Sequence, residues 1–297
     1  MLDLVWLIPA LPLAGFLTVL LFGRRLGDPK AGYLASAMVG AAFLVTVGVF
    51  IDLMSKSAEE RAHVVTLFHW VPVGSLRVDL AFLADPLSIT MCLFVTGIGS
   101  LIHLYAVGYM HGDPRFSKFF LYLNLFALSM LLLVLGENLL VTFLGWEGVG
   151  TCSYFLISFW HERESAATAG KKAFVTNRVG DWGVMMAMFL AFQAVGTLSY
   201  HGINLAAENG TLSTSTATAI AVMLFVGRKG QLVSVDVFDK GANNQNFLVC
   251  ASSGAGKSFT ASVLVSDYYG SGSLMRMIDI GYSYEKACML AKGRYID

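Results

Sequence analysis

Long apolar stretches recur along the first three quarters of the sequence, and short polar segments separate them. Each stretch is long enough for an α-helix to cross the hydrocarbon core of a bilayer, which takes about 20 residues. The pattern predicts a mainly α, polytopic transmembrane bundle. The predicted spans cover residues 4–22, 32–54, 81–110, 119–135, 138–160 and 179–198.

Two further segments refine this picture. Residues 217–227 form another apolar run, but it is shorter than one crossing, so the number of spans stays open between six and seven. The segment "VVTLFHWVPVGSLRVDLAF", between the second and third spans, alternates apolar and polar residues around a Gly-Ser pair. Such alternation predicts a small β-hairpin at the surface.

Composition narrows the class of protein. Hydrophobic residues make up 56% of the chain, charged residues 13%, and the mean hydropathy is +0.66, which excludes an ordinary soluble protein. Residues 1–227 carry 12 Lys and Arg against 14 Asp and Glu, and the remainder carries 8 against 6. Neither part is basic enough to predict a nucleic-acid partner. The four cysteines are far apart and show no metal-ligand spacing.

Basic residues in the short loops predict the orientation. The loops after the first, third and fifth spans are rich in Lys and Arg, which favour the cytoplasmic side of a membrane. The N-terminus is therefore expected outside. The first span has no small-residue cleavage site after a basic start, so we interpret it as an anchor.

Glu147 is the most informative residue of the membrane part. It lies about midway along the fifth predicted span, near the centre of the bilayer. An ionisable group at that depth costs several kcal/mol unless it faces protein or water and finds a partner, so it is a functional candidate. The alternative is an acid that only hydrogen-bonds a neighbouring helix. Gly145, Gly148 and Gly150 would allow close helix approach in either case.

Two other polar residues have structural explanations. Asp85 precedes Pro86, which is the pattern of a helix N-cap followed by proline at the first helical position. His103 lies within the third span, where a histidine that stabilises helix packing is favoured over a proton shuttle.

The pattern changes from Arg228 onward. The runs "QLVSVDVF" and "NFLVCA" favour β-strands, and "GKSFTASVLVSDYY" has the apolar face of a helix. This order is typical of the opening of a P-loop domain, in which backbone N–H groups hold ATP phosphates and a hydroxyl binds magnesium. Ser258 is the predicted magnesium ligand. The alternative interpretation of the whole segment is a glycine-rich turn between a strand and a helix that binds no nucleotide. The predicted phosphate-binding residues are Ser253, Gly254, Ala255, Gly256, Lys257 and Ser258.

Several long motifs carry a family resemblance. "ADPLSITM", "LGWEGVGTCSYFLISFW" and "KKAFVTNRVGDWG" occur in that order, and residues 1–226 resemble the antiporter-like subunit L, or chain 5, of respiratory complex I. The resemblance implies a proton-pumping subunit of NADH:quinone oxidoreductase in the bacterial inner membrane. Its partners would be lipid and the other complex I membrane subunits, and it would have no cofactor of its own.

The same resemblance assigns roles to three residues. Glu147 falls on the family's helix-five glutamate, which pairs with and modulates a channel lysine. Arg178 and Asp181 match the family's "RVGD" pattern, which places them at the cytoplasmic start of helix six. The family continues after "MLFVG" through a Gly-Lys-Ser-Ala-Gln stretch that is missing here, and Lys229 does not lie in that motif. Glu147 is therefore expected to lack a cationic neighbour and to be protonated or idle.

The tail, residues 227–297, is similar to the nucleotide-binding start of TraC-type conjugative type IV secretion ATPases. That similarity implies a cytoplasmic ATPase segment without the residues needed for hydrolysis. Three hypotheses follow. The chain is a truncated complex I subunit that is not competent alone, a membrane-tethered ATP-binding fragment, or an inactive fusion artefact.

Overall fold

The computed structural model describes residues 1–57, 60–73 and 76–227. These residues belong to the first of two units of the chain, Met1–Gly227. The predicted P-loop residues 253–258, and with them the predicted ATP and magnesium contacts, lie outside the described residues.

The described part is mainly α-helical, as predicted. A short 3-10 turn, Leu2–Leu4, precedes the first helix. The strands are β1 (His63–Val73) and β2 (Leu76–Ala84). The helices are α1 (Leu7–Met54), α2 (Pro86–Tyr109), α3 (Phe116–Leu135), α4 (Leu139–Ile157), α5 (Glu164–Val195), α6 (Tyr200–Glu208) and α7 (Thr214–Gly227).

Four helices in the described residues, α1 to α4, are long and apolar enough to cross a membrane. The backbone of α1 leaves helical geometry at Gly27, whose φ is 61°, and at Asp28. Its two parts correspond to the first two predicted spans. The apolar part of α7, Thr214–Leu224, is shorter than these spans, and α5 is interrupted by charges. Crossing by α5 and α7 therefore stays a prediction.

The hairpin prediction is confirmed, and it corrects the start of the third span. β1 and β2 pair antiparallel, so residues 81–84 lie in a strand. The helix begins only at Pro86. Asp85 caps it as predicted, because its Oδ1 accepts from the Ser88 backbone N–H at 2.6 Å and Ser88 Oγ accepts from the Asp85 backbone N–H at 2.9 Å.

The helix that carries the sixth predicted span begins well before the apolar run of residues 179–198. Helix α5 begins at Glu164, fifteen residues before the expected start at 179, and it ends before Gly196, whose φ is 78°. The segment "ESAATAGKKAF" was interpreted as a loop because it is polar. Alanine, glutamate and lysine are strong helix formers, so polarity alone does not end a helix there. Arg178 and Asp181 consequently lie in the middle of α5.

Close helix contacts set the position of α4. It packs against α3 on one side and α5 on the other, and α5 also packs against α7. A Cβ at Gly145 would collide with the backbone nitrogen of Leu133, and one at Gly148 would lie 2.8 Å from the Cβ of Ser129. Two of the three glycines near Glu147 therefore allow the close approach that the sequence predicts.

Candidate functional site: an arginine between two carboxylates

Helix α4 holds Glu147 near its middle and turns it toward α5. The helix starts at Asn138, whose Oδ1 accepts from the Val141 backbone N–H at 3.0 Å. Gly145 and Gly148 fix the opposite face against α3. The Glu147 side chain is half-buried, with 26% of its surface exposed.

Helix α5 supplies the partner of Glu147. Phe174, Arg178 and Asp181 follow one another at intervals of four and three residues, so they share one face of the helix. Arg178 Nη1 donates to Glu147 Oε2 and also to Asp181 Oδ2, the latter at 3.1 Å. One guanidinium nitrogen thus bridges carboxylates from two helices.

Two aromatic residues complete the site. Trp146 Nε1 donates to Asp181 Oδ1 at 2.8 Å, so both oxygens of this carboxylate accept a hydrogen bond. The Asp181 side chain is only 6% exposed. The guanidinium carbon of Arg178 lies 4.3 Å from the ring centroid of Phe174, within the range of a cation–π contact.

The structure brings together all three membrane residues that the sequence predicts for the site. Glu147 does have a cationic neighbour, because Arg178 pairs with it, although this arginine is not the lysine whose absence the sequence predicts. Arg178 was placed at the start of its helix, which hid its partnership with the middle of α4. Trp146 and Phe174 were not predicted as site residues. In the sequence, Trp146 is marked only by its position next to Glu147, and Phe174 only by its position four residues before Arg178.

The charge balance of the site defines what it can do chemically. Two carboxylates share one guanidinium, and arginine keeps its proton in proteins. With both acids ionised, the cluster carries one surplus negative charge inside a helical bundle, where uncompensated charge is costly. A proton or another cation would cancel that charge. In the described residues no group of three or more His, Cys, Asp or Glu side chains is placed to hold a metal ion.

His103, which the sequence analysis interprets as a residue of helix packing, is buried in α2. His103 is 3% exposed, and its Nδ1 lies 2.7 Å from the carbonyl oxygen of Gly99 in its own helix. Its Nε2 has no hydrogen-bond partner in the described part of the chain. No contact connects it with Glu147 there.

The described residues form a multi-helix membrane-type bundle with a charged cluster at mid-helix. Two solved structures of membrane complexes share this fold. The membrane-bound sulfane sulfur reductase, an archaeal respiratory membrane complex, aligns with a TM-score of 0.65 at 16% identity over 76% of this chain and 44% of that one. The Mrp complex from Dietzia sp. aligns with a TM-score of 0.63 at 24% identity, over 75% of this chain and 23% of that one.

Sequence comparisons show which proteins the membrane part resembles. Residues 70–120 match the family model of the N-terminus of chain 5 of NADH-ubiquinone oxidoreductase (complex I), and residues 136–234 match the transmembrane model of NADH:quinone oxidoreductase and Mrp antiporters. Residues 222–297 match the TraG P-loop domain. The chain therefore joins an integral membrane part similar to complex I chain 5, or subunit L, to a segment of a different family.

Individual relatives agree with the membrane assignment. NADH-quinone oxidoreductase subunit L of Mycobacterium tuberculosis H37Rv is 48% identical over 75% of this chain and 35% of its own length. Subunit L of Escherichia coli K12 is 40% identical over 64% of this chain and 31% of its own length. The chain thus spans about a third of the length of the curated relatives it matches.

Proposed function

We propose that residues 1–226 serve as a proton-translocating membrane module of an NADH:quinone oxidoreductase. The proposal places the module in the bacterial inner membrane with its N-terminus outside and the C-terminal segment in the cytoplasm. Its partners would be lipid and the other membrane subunits of that complex. The single observation that carries the proposal is Arg178, which bridges Glu147 and Asp181 in the middle of two packed helices.

The geometry suggests how a proton would change this site. Asp181 is nearly inaccessible and its second oxygen is held by Trp146, so it is the fixed anchor of the arginine. Glu147 is more exposed, so a proton reaches it more readily. When Glu147 is protonated, its attraction for Arg178 is lost, and the guanidinium pairs with Asp181 alone. The position of the Arg178 side chain then reports whether Glu147 carries a proton.

This module needs partners for transfer across the membrane. Among the described residues, hydrogen bonds connect the side chains of Trp146, Glu147, Arg178 and Asp181 to one another and lead to neither end of the bundle. A relay requires groups within hydrogen-bond reach, or one water apart, at each step. We therefore assign the further steps to groups supplied by other subunits.

Co-assembly tests the proposal. The full chain, carrying an affinity tag, is expressed with all the other subunits, membrane and NADH-oxidising, of a bacterial complex I that lacks its own subunit L. Those subunits are expected to co-purify with the chain. In proteoliposomes of that assembly, Glu147→Gln is expected to lower NADH-driven acidification while co-purification persists. Failure of every complex I subunit to co-purify would overturn the proposal, as would full pumping by Glu147→Gln.

A second function is proposed for the tail because residues 222–297 match a P-loop family. Lys257 and Ser258 would contact the phosphates and magnesium of ATP. The test is equilibrium binding of a fluorescent ATP analogue to the full chain. Saturable binding that Lys257→Ala abolishes and Lys240→Ala preserves would support this function. Equal binding by native chain and Lys257→Ala would refute it.

A further inference from the structure

A slot between α4 and α5 lies beside the proton-binding site and shares only Phe174 with it. Its volume is about 350 Å³. At one end the slot is bounded by the close contact between Gly170 of α5 and Ser158 at the end of α4, where a Cβ added to Gly170 would lie 2.8 Å from the Ser158 Cβ. At the other end α4 and α5 meet through Arg178 and Glu147. The slot is lined by Thr151, Tyr154, Phe155, Lys171, Phe174 and Val175.

The walls of this slot suit an apolar ligand. The rings of Tyr154 and Phe174 are in tilted contact, with centroids 5.4 Å apart, and Tyr154 also contacts the ring of Phe155, so the three rings form one aromatic wall of the slot. Val175 is 64% exposed, so the side of the slot is open to the surroundings of the bundle. In a membrane protein those surroundings are acyl chains, and a cavity of this size lies within the range of small-ligand sites.

Lys171 places a positive charge in the lining of the slot, which favours a ligand with a negative charge. It is exposed, and it makes no ion pair with any acid in the described residues. It lies seven residues before Arg178, which is about 10 Å along the helix axis toward the end of α5 near Glu164. Arg115 and Arg163 belong to the same end of the bundle. A long lysine side chain at this depth can extend toward the headgroup region.

We propose that this slot binds one acyl chain of an anionic phospholipid whose phosphate pairs with the Lys171 ammonium. An apolar channel with a free cation at its mouth fits an amphipathic anion, and basic pockets between membrane helices bind anionic headgroups. A zwitterionic lipid fits less well because its own ammonium group competes with Lys171 for the phosphate. The bound chain would fill the space beside Phe174 and hold α4 against α5 next to Arg178.

Lipid retention tests the proposal on the full chain. The protein is reconstituted in nanodiscs of phosphatidylcholine with a minor fraction of phosphatidylglycerol, then extracted in mild detergent, and co-purified lipid is measured by native mass spectrometry. The native chain is expected to retain phosphatidylglycerol in preference to phosphatidylcholine. Lys171→Gln should weaken that retention about fivefold, which is the effect of one lysine beside anionic lipid.

Two further variants make the test specific. Lys172→Gln removes an equal charge from the adjacent residue, which does not line the slot, and should retain the lipid as the native chain does. Val175→Trp fills the slot while Lys171 stays in place, and it should also lose the lipid. Circular dichroism confirms that each variant has native helix content. Equal retention by Lys171→Gln and Lys172→Gln, or equal retention of both lipids by the native chain, would overturn the proposal.

Discussion

The hydrogen bond from Trp146 to Asp181 offers the sharpest test of the site. Trp146→Phe removes the indole N–H that donates to Asp181 Oδ1 at 2.8 Å and keeps an aromatic ring in the same place. Asp181 then keeps only Arg178 as a donor, at 3.1 Å. Because the Asp181 side chain is 6% exposed, water cannot easily replace the lost donor. We expect the variant to be less stable than the native chain.

Two scales bound the size of this effect. Hydrogen bonds to charged groups in water-soluble proteins contribute about 1.5–3 kcal/mol. Side-chain hydrogen bonds between membrane helices average roughly 0.6 kcal/mol and reach about 1.7. The acceptor here is a buried carboxylate, which favours the upper part of the membrane range. We therefore expect Trp146→Phe to lower the free energy of unfolding by about 1–2 kcal/mol.

The assay is titration of the full chain in mixed micelles with a denaturing detergent, followed by far-ultraviolet circular dichroism. The matched control is Trp182→Phe on α5, because Trp182 is 64% exposed and its indole donates to no group in the described residues. The control should leave the unfolding free energy unchanged. A difference between the two variants below about 0.3 kcal/mol would refute the assigned role of Trp146.

Three more predictions concern packing, capping and pH. Gly145→Ala should lower the free energy of unfolding by roughly 1–3 kcal/mol, because the added methyl group overpacks the contact with α3. Gly40→Ala is the control and should not destabilise the chain, because its methyl group would meet nothing within 4 Å. Unfolding titrations compare the two variants. Asn138→Ala should cost about 1–2 kcal/mol, because it removes both the cap on the Val141 N–H and the Nδ2–H bond to the Asp79 carbonyl oxygen at 2.9 Å. Asn138→Asp keeps the cap but places a carboxylate oxygen against that carbonyl oxygen, so the same titration should show that it does not restore native stability. The pKa of Glu162 is lowered by its own backbone N–H and by Arg115. The pairing of Glu162 with Arg115 therefore stabilises the fold at pH values above the ordinary carboxyl pKa, and this stabilisation is lost as the pH falls through the lowered pKa. Arg115→Gln should therefore lower the thermal midpoint at neutral pH and not in acid, and a difference that persists in acid would contradict this.

The sequence predicted the membrane part best where one physical signal dominates. Apolar runs of bilayer length located α1 to α4, because little else produces twenty consecutive apolar residues. The alternation around residues 74–75 located the hairpin for a similar reason. The start of α5 was missed because its first two turns are polar. Hydropathy measures transfer into lipid, whereas a helix depends on backbone hydrogen bonds that polar residues also support.

The site was predicted in part, and its limits have a geometric cause. Glu147 is visible in the sequence because an acid near the middle of an apolar run is costly whichever way the helix is rotated. Its pairing with Arg178 depends on the relative height and rotation of two helices, and both change when one helix starts fifteen residues earlier. Trp146 carries no such cost, so its role becomes visible only when the indole is seen to reach Asp181.

The unequal burial of the two acids links the fold to the proposed chemistry. Glycine contacts hold α4 close to α3, and the interface with α5 is left to larger aromatic and charged side chains. Near the centre of that interface, Asp181 is enclosed and doubly hydrogen-bonded, whereas Glu147 keeps about a quarter of its surface exposed. An arginine between two equal acids would have no preferred direction of movement. With one acid fixed and the other accessible, the proposed function predicts that protonation of Glu147 would move the guanidinium toward Asp181.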